Sequence, residues 1–225
     1  MNKHRTIAKI TGYSLVLMAL TAGFSFGFAF PKFFNLNQLE IVQNGLTDNL
    51  ELYKFMLVGI LLVLILDILI SVTLFQYFKN DNIKLALLSF IFRIIYTLIF
   101  GIGTFYLTNN IGQTIDDIII VLENYKLFEK VWTIGLIVFG FHLLTIGILM
   151  KLHKLIPKIL WYLTIIAGAS YILVHLLKMT LPNLTELTNS LNNILALPMA
   201  LGELGLAIWL IVKGGKIETK ETPNR

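Results

Sequence analysis

Apolar residues along this chain gather into six long blocks with few polar interruptions. The blocks run approximately over Ile7–Phe30, Tyr53–Phe78, Leu85–Thr108, Val131–Met150, Ile159–Leu181 and Ile194–Val212. Each is close to the roughly 20 residues a helix needs to cross the hydrocarbon of a bilayer. A membrane barrel would alternate polar and apolar positions, and these blocks do not. The pattern predicts an all-α fold: a polytopic membrane helix bundle of about six transmembrane helices in one domain over residues 1–225, with 213–225 as a tail. Composition agrees, since 56% hydrophobic and 14% charged content with a mean hydropathy of +0.79 lies outside the range of soluble domains.

The connections are too short to house a second domain. Lys79–Lys84 (KNDNIK) predicts a tight hairpin between the second and third helices, and Lys151–Lys158 another between the fourth and fifth, with Pro157 suited to a first helical turn. Pro31–Leu52 and Asn109–Lys130 are longer and amphipathic. Ile115, Ile118, Ile119 and Leu122 recur there at helical spacing, which fits either a short interfacial helix or a partly ordered loop. Asn183–Asn193 reads as a polar turn region with capping Asn and Thr, and Pro198 as a kink near the start of the sixth helix. No internal repeat is found at residue level. Three helices per half would invert one half relative to the other without making the protein a transporter.

Lysine and arginine positions orient the chain, because basic short loops stay in the cytoplasm. One set of ends carries Lys3, Arg5, Lys9, Lys79, Lys84, Lys151, Lys154, Lys158, Lys213, Lys216, Lys220 and Arg225. The opposite loops carry Lys32, Lys54, Lys126 and Lys130 diluted among Glu40, Asp48, Glu51, Asp116, Asp117, Glu123 and Glu129. Both termini are therefore expected to be cytoplasmic, in a multi-pass protein of a bacterial cytoplasmic membrane. The net charge of +5 follows from this asymmetry and suits anionic lipid headgroups; no nucleic-acid motif accompanies it. The first block is too long for a signal peptide and lacks an Ala-x-Ala cleavage pattern, so it reads as a retained helix. With no cysteine, disulfides, thiolate chemistry and palmitoylation are excluded.

Four ionisable residues interrupt the apolar blocks: Asp67, Arg93, His142 and Glu203. Asp67 lies twelve residues before Lys79, Arg93 nine after Lys84, His142 nine before Lys151 and Glu203 ten before Lys213. At about 1.5 Å per residue all four fall roughly 13–18 Å from the basic end, near the middle of a core about 30 Å thick. Carboxylates at that depth cannot reach headgroups and must meet each other or water. A central Asp or Arg costs roughly 2.5–3.5 kcal/mol on insertion scales, which a helix as rich in Leu and Ile as Leu57–Leu74 tolerates. Two opposite charges about 4 Å apart return on the order of 4 kcal/mol at an effective dielectric of 20, so a pair needs added hydrogen bonds to become favourable.

The short hairpin makes the second and third helices antiparallel neighbours, so Asp67 and Arg93 form the expected pair. His142 and Glu203 would face each other or join a four-member network. Ser71, Ser89, Tyr96, Thr97 and Thr145 lie within about a turn of these residues and are candidate supporting groups. Gly59, Gly101, Gly140, Gly202 and Gly205 permit close helix approach.

The stretches AKITGYSLVLMALTAG (Ala8–Gly23), FRIIYTLIFGIG (Phe92–Gly103), VFGFHLLTIGILM (Val138–Met150), PKILWYLTIIAGASY (Pro157–Tyr171) and GELGLAIWLIVKG (Gly202–Gly214) resemble the bacterial domain-of-unknown-function family forty-three eighty-six. The resemblance spans nearly the whole chain through Phe-Arg, Phe-Gly-x-His and Gly-Glu-Leu signatures. It implies a small polytopic membrane protein with Arg93, His142 and Glu203 at signature positions, and it carries no activity with it.

Tyr171, His175 and Lys178 share one face toward the outer end of the fifth helix and read as interfacial anchors. Trp132, Trp161 and Trp209 read as aromatic-belt residues, and His4 and His153 as residues of the cytoplasmic interface. No HExxH, phosphate loop or Gly-x-Ser-x-Gly elbow is present. No cofactor and no dedicated metal site are expected. Expected partners are the lipid bilayer and a small molecule or proton, with oligomeric state undetermined. Two functional classes follow, beside a purely architectural role in fixing helix register. In one, the layer binds a small ligand or relays protons for solute movement: Asp67 or Glu203 accepts the proton, His142 passes it on, and Arg93 holds an anion or biases the carboxylates. In the other, His142 and Glu203 serve an intramembrane enzyme or ligand sensor as base and orienter, or as N/O metal ligands.

Overall fold

The computed structural model describes residues 3–34, 48–113, 117–181, 183 and 185–216, with the backbone alone at 185–186, 189, 192–193 and 196–200. Within these residues the chain is helical and contains no strand. Helix α1 spans Lys3–Ala22 and continues as a π-helical turn over Gly23–Ala29 and a 3-10 turn over Phe30–Lys32. Then follow α2 (Leu50–Phe78), α3 (Ile83–Thr108), α4 (Ile118–Leu152), α5 (Lys158–Thr180) and α6 (Thr185–Val212). Lys3–Lys32 and α2 to α5 are long and apolar enough to cross a membrane; in α6 the described apolar run is Leu201–Val212. The protein is an integral, multi-pass helical membrane protein.

Three segment boundaries differ from the sequence reading. Helix α4 begins at Ile118, so the amphipathic stretch around Ile118 and Leu122 is neither a separate interfacial helix nor a loop but the outer end of the span. Val121, Tyr125, Phe128, Gly135, Phe139, His142, Ile146 and Leu149 are buried along α4, with Trp132 half-buried in the same stripe. The steps between them are three and four residues, which keeps one face inward for the whole helix. Lys126 and Lys130 lie on the exposed side, so a drop in average hydropathy hid an unbroken face. Helix α6 begins at Thr185, not Ile194, because Leu187, Leu191 and Leu195 extend its apolar spacing outward. Pro157 stands at the N-cap of α5, one residue before the first turn. Residues 35–47 of the first outer connection, Asp116, Lys220, Arg225 and the side chain of Pro198 lie outside the described residues.

Each helix packs beside its neighbours in sequence, and α1 packs on α6, so the six helices close into a ring. An even number of passes returns the last helix to the end where the first began. Arg5 fastens that end: Nη1 donates to the carbonyls of Leu210 (3.0 Å) and Gly214 (2.6 Å), and Nη2 to that of Ile211 (2.5 Å). The final carbonyls of a helix have no intrahelical donors, and a guanidinium there also suits the negative end of the helix dipole. The chain then turns at Gly215, whose φ of +67° suits a residue without a side chain. The hairpins close at this same end. His153 Nδ1 lies 2.9 Å from Asp81 Oδ2, Tyr77 stacks on His4 with ring centroids 4.4 Å apart, and Asn82 caps α3 by accepting from the Leu85 N–H at 3.0 Å.

The ring's outer surface is apolar. Leu20, Phe55, Leu61, Leu98, Ile102, Phe105 and Ile208 are all exposed there, as a lipid-facing surface requires. Inside, small residues set the helix spacing. A Cβ on Gly168 of α5 would stand 2.7 Å from the Gly140 carbonyl oxygen and 2.9 Å from the Leu144 nitrogen, both backbone atoms of α4. These helices cross at a distance only glycine allows.

Gly168→Ala is therefore expected to destabilise the protein by about 1–3 kcal/mol through forced separation of α4 and α5. Gly101→Ala, where a Cβ would meet nothing within 4 Å, should stay within about 0.5 kcal/mol of the parent. Thermal unfolding in detergent distinguishes the two, and equal melting temperatures would contradict the close-packed crossing.

Candidate functional site

Arg93, on the inward face of α3, is completely buried and has the largest side chain of any fully buried residue described. Its guanidinium sits where four of the six helices bring ionisable residues together and a fifth, α1, adds a methionine sulfur. Nε donates to Asp67 Oδ1 on α2 at 2.9 Å, and Nη2 lies 2.7 Å from the same oxygen. Nη1 donates to Glu203 Oε1 on α6 at 3.0 Å and meets His142 Nε2 on α4 at 3.1 Å. Nη2 also reaches Met18 Sδ on α1 at 3.5 Å. A guanidinium has five N–H groups and no acceptor; four of them make hydrogen bonds here, and the approach of Nη2 to Asp67 is an ion-pair contact.

This geometry decides the tautomer of His142. Facing a group that only donates, Nε2 must be the acceptor, which puts the ring proton on Nδ1. That nitrogen lies 2.9 Å from the Ser89 carbonyl oxygen and 2.9 Å from Ser89 Oγ. His142 is thus a neutral spacer between α3 and α4, and it contacts the same Nη1 that Glu203 uses. The four ionisable residues form a single network centred on Arg93. Its formal charge, with one guanidinium, two carboxylates and a neutral imidazole, is minus one.

Asp67 spends one oxygen on both of its contacts with Arg93. Its Oδ2 is buried and has no hydrogen-bond partner among the described residues. An unsatisfied buried acceptor costs about 1–3 kcal/mol, more when charged. Asp67 and Glu203 both line a cavity of about 170 Å³ at the centre of the ring, and every helix contributes to its wall. Met18, Val63, Tyr96, Phe139 and Tyr171 line it at the level of the network, and Phe26, Phe100 and Trp132 extend it along the bundle axis. Phe26 is delivered by the π-helical turn that follows α1. Such turns shift the side-chain register of a helix and recur at functional sites.

The supporting residues named from sequence divide. Ser89 bonds His142 directly, and Tyr96 lines the cavity. Ser71 instead donates to the Ile68 carbonyl at 2.7 Å, Thr97 to that of Arg93 at 2.8 Å, and Thr145 to that of His142 at 2.7 Å. These three return to their own helix backbones, as Ser and Thr commonly do. The outer cluster divides too. Tyr171 turns inward and lies edge-on to Phe139 at 5.4 Å; His175 bonds the Tyr171 carbonyl through Nδ1 at 2.8 Å; Lys178 reaches out to Glu129 at 3.2 Å. Met18, Phe26, Phe100, Trp132 and Phe139 belong to the site and were not singled out for it from sequence. For Trp132 and Phe139 the signal was their place on the stripe of α4 that carries His142. For Met18 and Phe26 no sequence signal distinguishes them from their apolar neighbours.

Among the described residues no three His, Asp or Glu side chains gather as metal ligands. The guanidinium of Arg93 engages one oxygen of each carboxylate, Asp67 Oδ1 and Glu203 Oε1.

The family model described as Domain of unknown function (DUF4386) matches residues 10–214, a range that holds the whole network and cavity. An "Uncharacterized protein" of Archaeoglobus fulgidus is 28% identical over 176 residues, which make up 78% of this chain and 94% of that protein. No solved structure matches.

The centre makes a specific demand on stability. Arg93→Gln leaves two carboxylates facing each other in a buried site and is expected to cost about 3–5 kcal/mol. Asp67→Asn combined with Arg93→Gln leaves only Glu203, whose side chain is 22% exposed, and should recover part of that loss. Thermal unfolding of both variants in the same detergent measures the difference. A double variant less stable than the single one would refute the charge pairing.

Proposed function

This chain belongs to the family described as Domain of unknown function (DUF4386), and from that premise we propose that the centre of its helix ring is a solute site. The site takes up one positive charge, as a proton or a small cation, and by that uptake binds a small solute or moves it through the membrane. The observation that carries the reading is the unpartnered Asp67 Oδ2 beside a cavity that also reaches Glu203.

The chemistry of the donors and acceptors sets the sign. Every nitrogen of Arg93 already faces a protein partner, through four hydrogen bonds and an ion-pair contact of Nη2 with Asp67, so the guanidinium is committed to groups of the network. What remains unsatisfied is a carboxylate oxygen, which calls for a hydrogen-bond donor or a cation. A group formally one charge short of neutrality in a low-dielectric centre gains from either. A proton and a cationic solute therefore compete for the same carboxylate oxygen, and competition of this kind couples the movement of one to the other. Glu203, which is less buried than Asp67, is the residue through which the proton exchanges. Arg93 is the fixed counter-charge that keeps two carboxylates within one site. The distribution of lysines places the Arg5-fastened end in the cytoplasm in this reading.

Proton entry into vesicles carrying the purified protein, followed with an enclosed pH-sensitive dye under an imposed potential, tests the reading. The parent should acidify the lumen faster than protein-free vesicles. Glu203→Gln should reduce the rate at least tenfold while keeping the fold, as judged by unfolding temperature. Asp67→Asn with Arg93→Gln should abolish it. A folded double variant that carries protons at the parent rate would rule out a relay through this network.

A further inference from the structure

The wall of the central cavity is more aromatic than a water-filled proton path requires. Phe26, Tyr96, Phe100, Trp132, Phe139 and Tyr171 all line it, and their rings form one continuous chain. Phe26 stacks on Trp132 at 4.8 Å, Trp132 on Phe100 at 5.9 Å, Phe100 on Tyr96 at 5.9 Å, Tyr96 meets Phe139 at 4.7 Å, and Phe139 meets Tyr171 at 5.4 Å. The ring planes differ by 8° at Tyr96 and Phe100 and by 89° at Phe139 and Tyr171.

The face of an aromatic ring carries negative charge, and a set of rings around a desolvated space attracts cations that shed water easily. One ring of this set already does so, since the Arg93 guanidinium carbon lies 5.4 Å over the Phe139 centroid. Sodium and potassium prefer a shell of oxygen ligands. Here the oxygens come from Asp67, Glu203 and two phenols on one part of the wall, and carbon and the polarisable sulfur of Met18 make up the rest. The mixture suits an organic cation, with alkyl groups against rings and a positive centre toward carboxylates. The scale fits a small guest, because a cavity on the order of 150 Å³ accommodates benzene, and this one is about 170 Å³.

Building on the solute-site reading above, we propose that the central cavity binds a small alkylammonium ion, caged by Phe26, Tyr96, Phe100, Trp132, Phe139 and Tyr171 and neutralised by Asp67 and Glu203. The ion brings the positive charge that the network lacks. Its alkyl groups replace apolar contacts that water cannot make. A proton arriving at either carboxylate removes the charge that holds it, so binding weakens as pH falls.

Titration of the full-length protein in lipid nanodiscs with tetramethylammonium chloride, read as a saturable rise in melting temperature and by calorimetry, tests the assignment. Tetramethylammonium should bind, while tert-butanol, a neutral molecule of similar shape, and sodium chloride at equal concentration should not. Trp132→Leu is expected to weaken binding at least tenfold and Trp132→Phe less than threefold, because phenylalanine restores the ring. Asp67→Asn should abolish binding, and the Trp132 pair keeps the test decisive if that variant does not fold. Equal binding by tert-butanol, no binding by tetramethylammonium, or indifference to Trp132→Leu would each overturn the cage. Proton entry that persists in vesicles without tetramethylammonium binding would sink the ammonium assignment alone; loss of both would sink the solute site itself.

Discussion

Everything at the centre of this protein depends on one buried arginine that holds four partners on four other helices. Arg93 reaches α1, α2, α4 and α6 from α3, so a single planar group sets the distance between five helices of a closed ring. In hydrocarbon the usual drive to pack helices is missing, because lipid is as apolar as leucine. Directional contacts then matter more for position, and a guanidinium with fixed donor geometry is well suited to impose it. The fit constrains chemistry as well. An arginine engaged at all three nitrogens is a fixed counter-charge, and it leaves one oxygen of Asp67 without a partner among the described residues.

The rest of the fold supports that placement at two levels. Close glycine crossings between α4 and α5 and between α1 and α6 draw the helices inward, and Arg5 ties the last turn of α6 to the first turn of α1. Because α1 and α6 are far apart in sequence, closing the ring between them is the step that gives the bundle an inside. Without it Glu203 would be one more polar residue on a lipid-facing helix, which insertion tolerates poorly. The π-helical turn after α1 adds to the enclosure by carrying Phe26 to the cavity wall.

Much of the site was legible before the structure. Four ionisable side chains at one depth have few ways to escape solvation cost except by meeting, and the short hairpin makes Asp67 and Arg93 neighbours. What sequence spacing could not say was how His142 and Glu203 share the arginine, because that depends on where α4 and α6 stand around the ring. The aromatic wall was illegible for a different reason. Phe26, Phe100, Trp132 and Phe139 are apolar residues in apolar helices, and a residue that packs against a neighbour has the same one-dimensional pattern as one that borders a cavity. Tyr171 was drawn toward the headgroups by its position beside His175 and Lys178, yet its helix face turns inward there.

The sequence by itself determined the class of solvent each part of the chain occupies. Length and hydropathy of the blocks, the side on which lysines fall and the depth of the four ionisable residues are properties read along one axis, the membrane normal, where rise per residue converts position into distance. Tertiary structure decided everything around that axis: the closure of α1 on α6, the sharing of Arg93 among four partners, the spare oxygen of Asp67 and the cavity beside it. Those depend on the rotation of each helix about its own axis and on its order in the ring, which apolar surfaces equally content with lipid do not encode locally.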